Sequence, residues 1–210
     1  MPAHRCRLVV LLSGAGSLLQ ALLDACADPD MPAEVVAVGA DHPDAGGLGR
    51  ASRVGVPTFV ERTAGHPDRP AWDAALLARV REHRPDLVVG AGFMKLVAPS
   101  FLDGIGCRMI NSHPALLPAF PGAHAVRDAL AAGVDVTGAT VHVVDEGTDT
   151  GPVLDQVRVP IHDGDTEATL HERIKVAERG LLVDVVRRLA GETFPSPRGG
   201  PSDEMSDAHE

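Results

Sequence analysis

The chain has 210 residues, 44% of them hydrophobic and 23% charged, which is the composition of an ordinary globular protein. Its formal net charge of -10 excludes broad contact with a nucleic-acid backbone, because such contact requires clustered lysine and arginine. No apolar run reaches the ~18 residues that a membrane span requires, and the cysteines form no CxxC pair. We therefore expect a cytoplasmic protein with reduced thiols and with neither nucleic-acid nor membrane partners.

The first half of the chain alternates short apolar runs, typical of buried strands, with helical patterns. The runs lie at 7–12, 34–39, 58–60 and 87–92, and the helical patterns lie at 18–27, near 47–54 and at 71–83. In the last of these, Trp72, Leu76 and Val80 recur at the spacing of one helical face. Strands that alternate with helices predict a parallel sheet with helices on both faces.

The second half of the chain has a different pattern. A strand is predicted at 108–113, a helix at 124–133, a pair of antiparallel strands at 137–144 and 152–160, and a long helix at 166–191. The predicted fold is therefore α/β: a Rossmann-like, mostly parallel twisted sheet with an antiparallel addition in the C-terminal half. We predict one domain over 1–194, divided into halves at about residue 105, and a disordered tail at 195–210, which is rich in proline, glycine and acids.

A glycine-rich stretch, "LLSGAGS" (11–17), lies between the first strand and the first helix. At this position a tight turn presents backbone N–H groups to an anion, and Ser17 can cap the helix or donate to a phosphate. A plain strand-to-helix turn explains the spacing equally well. Leu19 occupies the place of the third glycine of a dinucleotide fingerprint, so that motif is poor. Asp41 follows the second strand, as a ribose-binding acid would, but its neighbours are more simply a loop.

The stretch "MINSHPALLP" (109–118) places Asn111 and His113 two residues apart at a strand end, so that both side chains point the same way. Ligands collect at such ends in open α/β sheets. An Asn amide can donate to a developing oxyanion, and a His can exchange a proton near neutral pH. The alternative is that Asn111 caps a turn and that His113 is a hydrogen-bonded core residue.

An acidic loop, "VDEGTDTGPV" (144–153), separates the last two predicted strands. It is either a solvated turn or the source of a carboxylate that reaches His113 and favours its protonated form. The chain has no G-x-S-x-G elbow, which favours direct attack by a bound nucleophile over covalent acyl transfer. On the final helix, Glu178 shares a face with apolar residues, which is costly for a carboxylate without a partner. We interpret it either as part of an edge salt bridge or as a site acid that bonds ligand hydroxyls.

Together these motifs resemble the phosphoribosylglycinamide formyltransferases, folate-dependent enzymes of purine synthesis. The resemblance runs from about Arg7 to Leu189, and its most specific part is the Asn-x-His-Pro-x-Leu-Leu-Pro string with the later Asp-x-Gly-Pro. It is carried by the segments "SGAGSLLQALLDA", "GFMKLVAPSFL", "INSHPALLPAFPGAHAVRDAL", "TGATVHVVDEGTDTGPVLDQ" and "AERG".

The resemblance implies a catalytic set of Asn111, His113 and Asp149. It implies an acceptor site in which Gly16, Ser17 and Leu18 hold a phosphate and Glu178 binds the glycinamide substrate. Leu18 and Ala15 occupy positions where the family commonly has Asn. Lys95 occupies a position where Arg is common, and Lys lacks the planar, forked guanidinium group of Arg. The implied folate contacts are Arg69, Met94, Lys95, Leu96, Val97, Asn111, Asp145, Glu146, Gly147, Thr148 and Asp149.

The implied reaction transfers a formyl group from 10-formyltetrahydrofolate to the amine of 5-phosphoribosylglycinamide, in a monomer or homodimer that needs no metal. A formyltetrahydrofolate hydrolase shares the catalytic set but usually carries an extra N-terminal domain. A tRNA-directed formyltransferase requires a further C-terminal domain and a basic surface. The alternative from a different class is a nucleotide-binding Rossmann module without chemistry, which predicts a ligand at 13–19 and no role for His113.

Overall fold

The computed structural model describes residues 5–192, so residues 193–194 and the predicted tail at 195–210 lie outside the described residues. The strands are β1 Cys6–Leu12, β2 Ala33–Ala40, β3 Thr58–Val60, β4 Leu87–Gly90, β5 Arg108–His113, β6 Val136–Val143 and β7 Val153–Pro160. The helices are α1 Ser17–Cys26, α2 Gly46–Arg53, α3 Arg69–Glu82, α4 Pro99–Gly104, α5 Ala125–Ala131 and α6 Glu167–Gly191, with a 3-10 turn at Thr63–Gly65.

The seven strands form one sheet in the order β3-β2-β1-β4-β5-β6-β7. The strands from β3 to β5 are parallel, whereas β6 pairs antiparallel with β5 and β7 antiparallel with β6. The predicted α/β fold is confirmed, including its antiparallel addition. Because the chain moves outward in one direction from β1 to β3 and then in the other from β4, a crevice opens at the carboxyl ends of β1 and β4.

Strand β1 is buried on both faces, which is why it is almost continuously apolar. On one face Leu8, Val10 and Leu12 join a core with residues of α1 and α6. On the other, Val9 and Leu11 join a core with residues of α3 and α4. The alternation of side chains along one strand thus supplies two hydrophobic layers, and these layers fix the strand ends that carry the site.

Two features of the helices were not predicted. Helix α4 has only six residues, too few to show a helical period, and it is anchored by Phe101, which is 1% exposed. Helix α3 begins at Arg69 rather than at 71, because the Asp68 side chain accepts a hydrogen bond from the Ala71 N–H and Pro70 occupies the first turn. Among residues 5–192, no helix combines the length and the apolar character that crossing a membrane requires.

Candidate active site

A cavity of about 360 Å³ opens beside the carboxyl ends of β4 and β5. Its walls are the segment 92–97 after β4, residues 111–114 at the end of β5, residues 122–123, and the loop 144–149 with the neighbouring His142. The cavity therefore lies where an open α/β sheet binds its ligands, and it brings together sequence motifs that are far apart in the chain.

The segment 92–97 gives the cavity an apolar wall. Met94 is 67% exposed and Leu96 is 63% exposed, which is unusual for large apolar side chains and typical of a ligand-binding surface. Phe93 stacks on the buried Trp72 with ring centroids 6.5 Å apart, and the Met94 N–H donates to Ser13 Oγ at 2.9 Å. These contacts attach the wall to α3 and to the end of β1.

His113 lies at the end of β5 and is only 4% exposed. Its Nε2 is 2.8 Å from the carbonyl oxygen of Phe120, and its Nδ1 is 3.3 Å from Oδ2 of Asp149. Both ring nitrogens thus face acceptors, and the doubly protonated ring satisfies both of them. Asp149, which the sequence placed in an acidic loop, is within ion-pair distance of His113.

Asp149 is positioned by its own loop and by the segment that follows β5. Its backbone adopts φ 56, a left-handed conformation that Asp tolerates better than most residues. The Gly122 N–H donates to Oδ2 at 2.8 Å. The hydrogen bond from His142 holds the pKa of the Asp149 carboxyl below its ordinary value, and the Gly122 N–H and His113 act in the same direction against the effect of burial.

His142, which the sequence reasoning missed, is the second histidine bound to Asp149. It is 2% exposed, its Nε2 lies 3.4 Å from Asp149 Oδ1, and its Nδ1–H donates to the Val143 carbonyl at 2.9 Å. Burial acts to lower the pKa of His142, but the contacts with Asp149 and Val143 together raise it above its ordinary value. The sequence signal for His142 was a histidine in a predicted strand, and the structure pairs it directly with Asn111 across the sheet.

The Asn111 side chain occupies space that is open because its neighbour on β4, Gly90, has no side chain. It pairs with Gly90, where an added Cβ would lie 2.6 Å from Asn111 Oδ1. Its Nδ2 lies 3.5 Å from His142 Nε2. When His142 is protonated that nitrogen carries a hydrogen and cannot accept, so the Asn111 amide remains a donor for a ligand in the cavity.

Not every residue implied for the donor lines the cavity. Lys95 does, but its Nζ is 3.4 Å from Oδ2 of Asp41, so this loop acid is an ion-pair partner of Lys95. Arg69 does not: its Nε donates to Asp73 Oδ2 at 3.1 Å. Asp73 in turn accepts from the Ala98 N–H at 3.2 Å, so Arg69 is linked to the cavity wall through two intermediates.

The loop at the start of α1 lies apart from this cavity. Gly16, at φ 73, is the residue that caps the helix, without a side-chain hydrogen bond, and Ser17 is the first helical residue, so Ser17 does not cap the helix as one reading suggested. An added Cβ on Gly16 would lie 2.6 Å from the Gly47 Cα. Leu18 is 7% exposed and packs in the core, so at this position only its backbone can meet a ligand.

Glu178 is buried rather than placed at the edge of the core. It is 5% exposed, and its Oε1 accepts a hydrogen bond from Ser112 Oγ at 2.7 Å. Within residues 5–192 it has no ion pair, so the edge salt bridge is excluded there. Burial raises the pKa of the Glu178 carboxyl, although the Ser112 hydrogen bond, Lys175 and Arg179 oppose this effect. Glu178 itself does not line the cavity, but Ser112 does.

The formyl transferase family model matches residues 6–186 of the chain. The phosphoribosylglycinamide formyltransferase of Mycobacterium tuberculosis is 59% identical over 189 residues, covering 90% of this chain and 87% of that protein. The human trifunctional purine biosynthetic protein adenosine-3 is 39% identical over 196 residues, covering 93% of this chain and 19% of that protein. The crystal structure of glycinamide ribonucleotide transformylase 1 from Symbiobacterium toebii matches with TM-score 0.86 at 44% identity, covering 89% of this chain and 88% of that one. The chain therefore belongs to the formyl transferase family.

Proposed function

We propose that the chain transfers a formyl group from 10-formyltetrahydrofolate to the amine of 5-phosphoribosylglycinamide, in purine biosynthesis. The observation that carries this proposal is the convergence of Asn111, His113 and Asp149 on the wall of one open cavity. The names of the relatives support the same reaction, since they include phosphoribosylglycinamide formyltransferases and a trifunctional purine biosynthetic protein. We further propose a cytoplasmic enzyme that acts as a monomer or homodimer on small molecules.

The cavity fits a folate-type donor in size and in chemistry. Its volume of about 360 Å³ is within the range of small-molecule sites, and it is lined on one side by apolar side chains of the segment 92–97. The loop 144–149 also lines the cavity, and in it Asp145 Oδ1 accepts from the Gly147 N–H at 3.1 Å and from the Thr150 hydroxyl at 2.8 Å. Such a slot offers a flat heteroaromatic ring both an apolar face and edge hydrogen bonds.

The chemistry requires charge stabilisation at a single oxygen. The acceptor amine attacks the formyl carbon, a C–N bond forms, and the carbonyl oxygen of the formyl group becomes an oxyanion. The Asn111 amide and the protonated ring of His113 donate hydrogen bonds to this oxygen. As the bond to the donor nitrogen breaks, the proton lost by the amine passes to that leaving nitrogen, and Asp149, which lies 3.3 Å from the His113 ring, assists this transfer.

His113 must exchange one hydrogen bond to act in this way. Its Nε2 bonds the Phe120 carbonyl at 2.8 Å, while its Nδ1 faces Asp149 at 3.3 Å. The contact with Asp149 pairs the ring with a carboxylate at the centre of the site, so we propose that the Phe120 contact is the one given up when the donor binds. The segment around Phe120 would then move relative to β5.

The acceptor would bind on the other side of the site. Its phosphate would meet the backbone N–H groups of Gly16, Ser17 and Leu18 at the N-terminus of α1, where the helix dipole favours an anion. Glu178, whose carboxyl is held beside β5, would accept hydrogen bonds from acceptor hydroxyls. Binding the two substrates from opposite sides brings the amine and the formyl carbon together at Asn111 and His113.

A formyl-transfer assay tests this assignment. The purified chain is given 10-formyltetrahydrofolate with 5-phosphoribosylglycinamide, with water alone, or with tRNA as the acceptor. We expect deformylated folate and formylated glycinamide nucleotide in equal amounts, and only when that nucleotide is present. Folate release at the same rate in water would instead show a hydrolase, and absence of all turnover with nucleotide bound at 13–19 would show a non-catalytic module.

A further inference from the structure

Ser112 lies between the two proposed oxyanion donors but points away from them. Because side chains alternate along β5, Asn111 and His113 share one direction and Ser112 takes the other, towards α6. There its hydroxyl donates to Glu178 Oε1 at 2.7 Å, and the two side chains are 6% and 5% exposed. Ser112 thus connects β5, the strand that carries Asn111 and His113, to Glu178, the acid proposed to bind the acceptor.

The hydrogen bond leaves Glu178 with one uncommitted oxygen. Among residues 5–192, Oε1 is paired with Ser112 and no hydrogen bond or ion pair reaches Oε2. The buried side-chain oxygens without a hydrogen-bond partner in the same part of the chain are Asp41 Oδ1 and Thr137 Oγ1. Since Glu178 Oε2 is not one of them, it is not fully enclosed by the described residues, and it is the carboxylate oxygen left free to accept a further hydrogen bond.

The energetics favour a positional role for this contact. A carboxyl group 5% exposed is costly to keep charged, and burial raises the pKa of Glu178 accordingly. Ser112 opposes that effect, and its hydrogen bond restricts the orientation of the carboxylate, since one of the two equivalent oxygens must face the hydroxyl. Lys175 and Arg179 on α6 add positive charge but make no hydrogen bond to Glu178 in the described residues.

We propose that Ser112 is a positioning residue for the acceptor: its hydroxyl holds Oε1 of Glu178, so that Oε2 is presented to the hydroxyls of the incoming ribonucleotide. The inference rests on the proposed function, in which Glu178 binds the acceptor. It adds that the acceptor-binding carboxylate is oriented by a residue of β5, the strand that carries Asn111 and His113.

Steady-state kinetics and direct binding of 5-phosphoribosylglycinamide to the full chain test this proposal. Ser112→Ala should raise the acceptor KM and the acceptor Kd about tenfold, as expected for a lost hydrogen bond to a charged group. It should leave the donor KM unchanged. Ser112→Thr, which keeps the hydroxyl, should restore acceptor binding. Thr137→Val is the matched control, because it removes a buried strand hydroxyl that bonds nothing and should leave both KM values unchanged.

A double-mutant cycle isolates the contact. In a Glu178→Ala background, adding Ser112→Ala should change acceptor binding less than about twofold, because the oxygen that accepts from the Ser112 hydroxyl is already absent. The proposal is overturned by a Ser112→Ala variant that folds and binds the acceptor normally, or by one that weakens donor and acceptor equally. Failure of the proposed function looks different, since the wild-type chain would then transfer no formyl group at all.

Discussion

The cavity and the proposed phosphate loop, residues 16–18, are built in different ways. Around the cavity, Asn111, His113, His142 and Asp149 form a connected set of side-chain contacts between 3.3 and 3.5 Å. At the phosphate loop, residues 16–18 offer mainly backbone N–H groups, and the last of their side chains packs in the core. The first region depends on which side chains are present, and the second on the conformation of the backbone.

The difference follows from the charges that the two regions are proposed to meet. At the transfer centre charge develops on one oxygen during the reaction, so donors must be aimed at one point. A phosphate is charged throughout and spreads its charge over several oxygens, so a helix N-terminus is sufficient. We therefore expect the cavity to be sensitive to side-chain identity and the loop to be sensitive to its glycine.

The largest effect is expected from substitutions at the transfer centre. Asn111→Ala, His113→Ala and Asp149→Ala should each lower kcat by about 10²–10³ or more, because each removes a proposed oxyanion donor or the carboxylate that pairs with His113. His66→Ala is a matched control, since His66 forms a similar pair with Glu61 at 2.6 Å outside the cavity. Near-normal turnover in all three folded variants would contradict the proposed roles.

Gly16→Ala should distort the backbone of the proposed phosphate loop. The residue has φ 73 and an added Cβ would lie 2.6 Å from the Gly47 Cα, so the turn must open. We expect the acceptor KM to rise about tenfold, with a loss of about 1–3 kcal/mol in the free energy of unfolding. Gly55→Ala shares the positive φ, 75, but meets open space, so it should cost stability without changing the acceptor KM.

The shifted pKa values of His142 and Asp149 predict that this pair contributes to the stability of the fold in a pH-dependent way. The raised pKa of His142 stabilises the fold fully below its ordinary value of 6.5 and less as the pH rises through the folded value. The lowered pKa of Asp149 stabilises it fully above the ordinary value of 3.8 and less as the pH falls through the folded value.

Urea unfolding measures this contribution directly. His142→Gln should lower the free energy of unfolding more at about pH 5, between the two ordinary values, than at about pH 9. An equal loss at both pH values would mean that His142 contributes by packing alone and not by its charge.

The smallest expected effect is a gain in acceptor affinity from a substitution beside the proposed phosphate loop. Ala15 is exposed, and its carbonyl accepts from Arg50 Nε at 2.8 Å, so Ala15→Asn adds a side-chain donor without disturbing the core. We expect the acceptor KM to fall by about two- to tenfold, the net value of one hydrogen bond. Leu18→Asn provides the contrast: because Leu18 is 7% exposed, it should lose stability instead. A gain for both variants would contradict the buried position of Leu18.

Local sequence patterns determined the strands, most helices and the α/β class, because the period of apolar residues depends on neighbours a few positions away. The run of Leu8 to Leu12 and the spacing of Trp72, Leu76 and Val80 needed nothing else. The motifs also sufficed to indicate the family, since Asn111, His113 and the acidic loop are specific in type and spacing. The roles assigned to individual site residues remain predictions.

Contacts between elements distant in the chain were decided only by the tertiary structure. His142 meets Asp149 because the register of β6 on β5 places it opposite Asn111, and no local period encodes that register. Glu178 meets Ser112 because packing sets where the apolar face of α6 rests on the sheet. Both pairings depend on the whole core closing at once, and for this reason the sequence did not indicate His142 as a partner of Asp149 or Ser112 as the partner of Glu178.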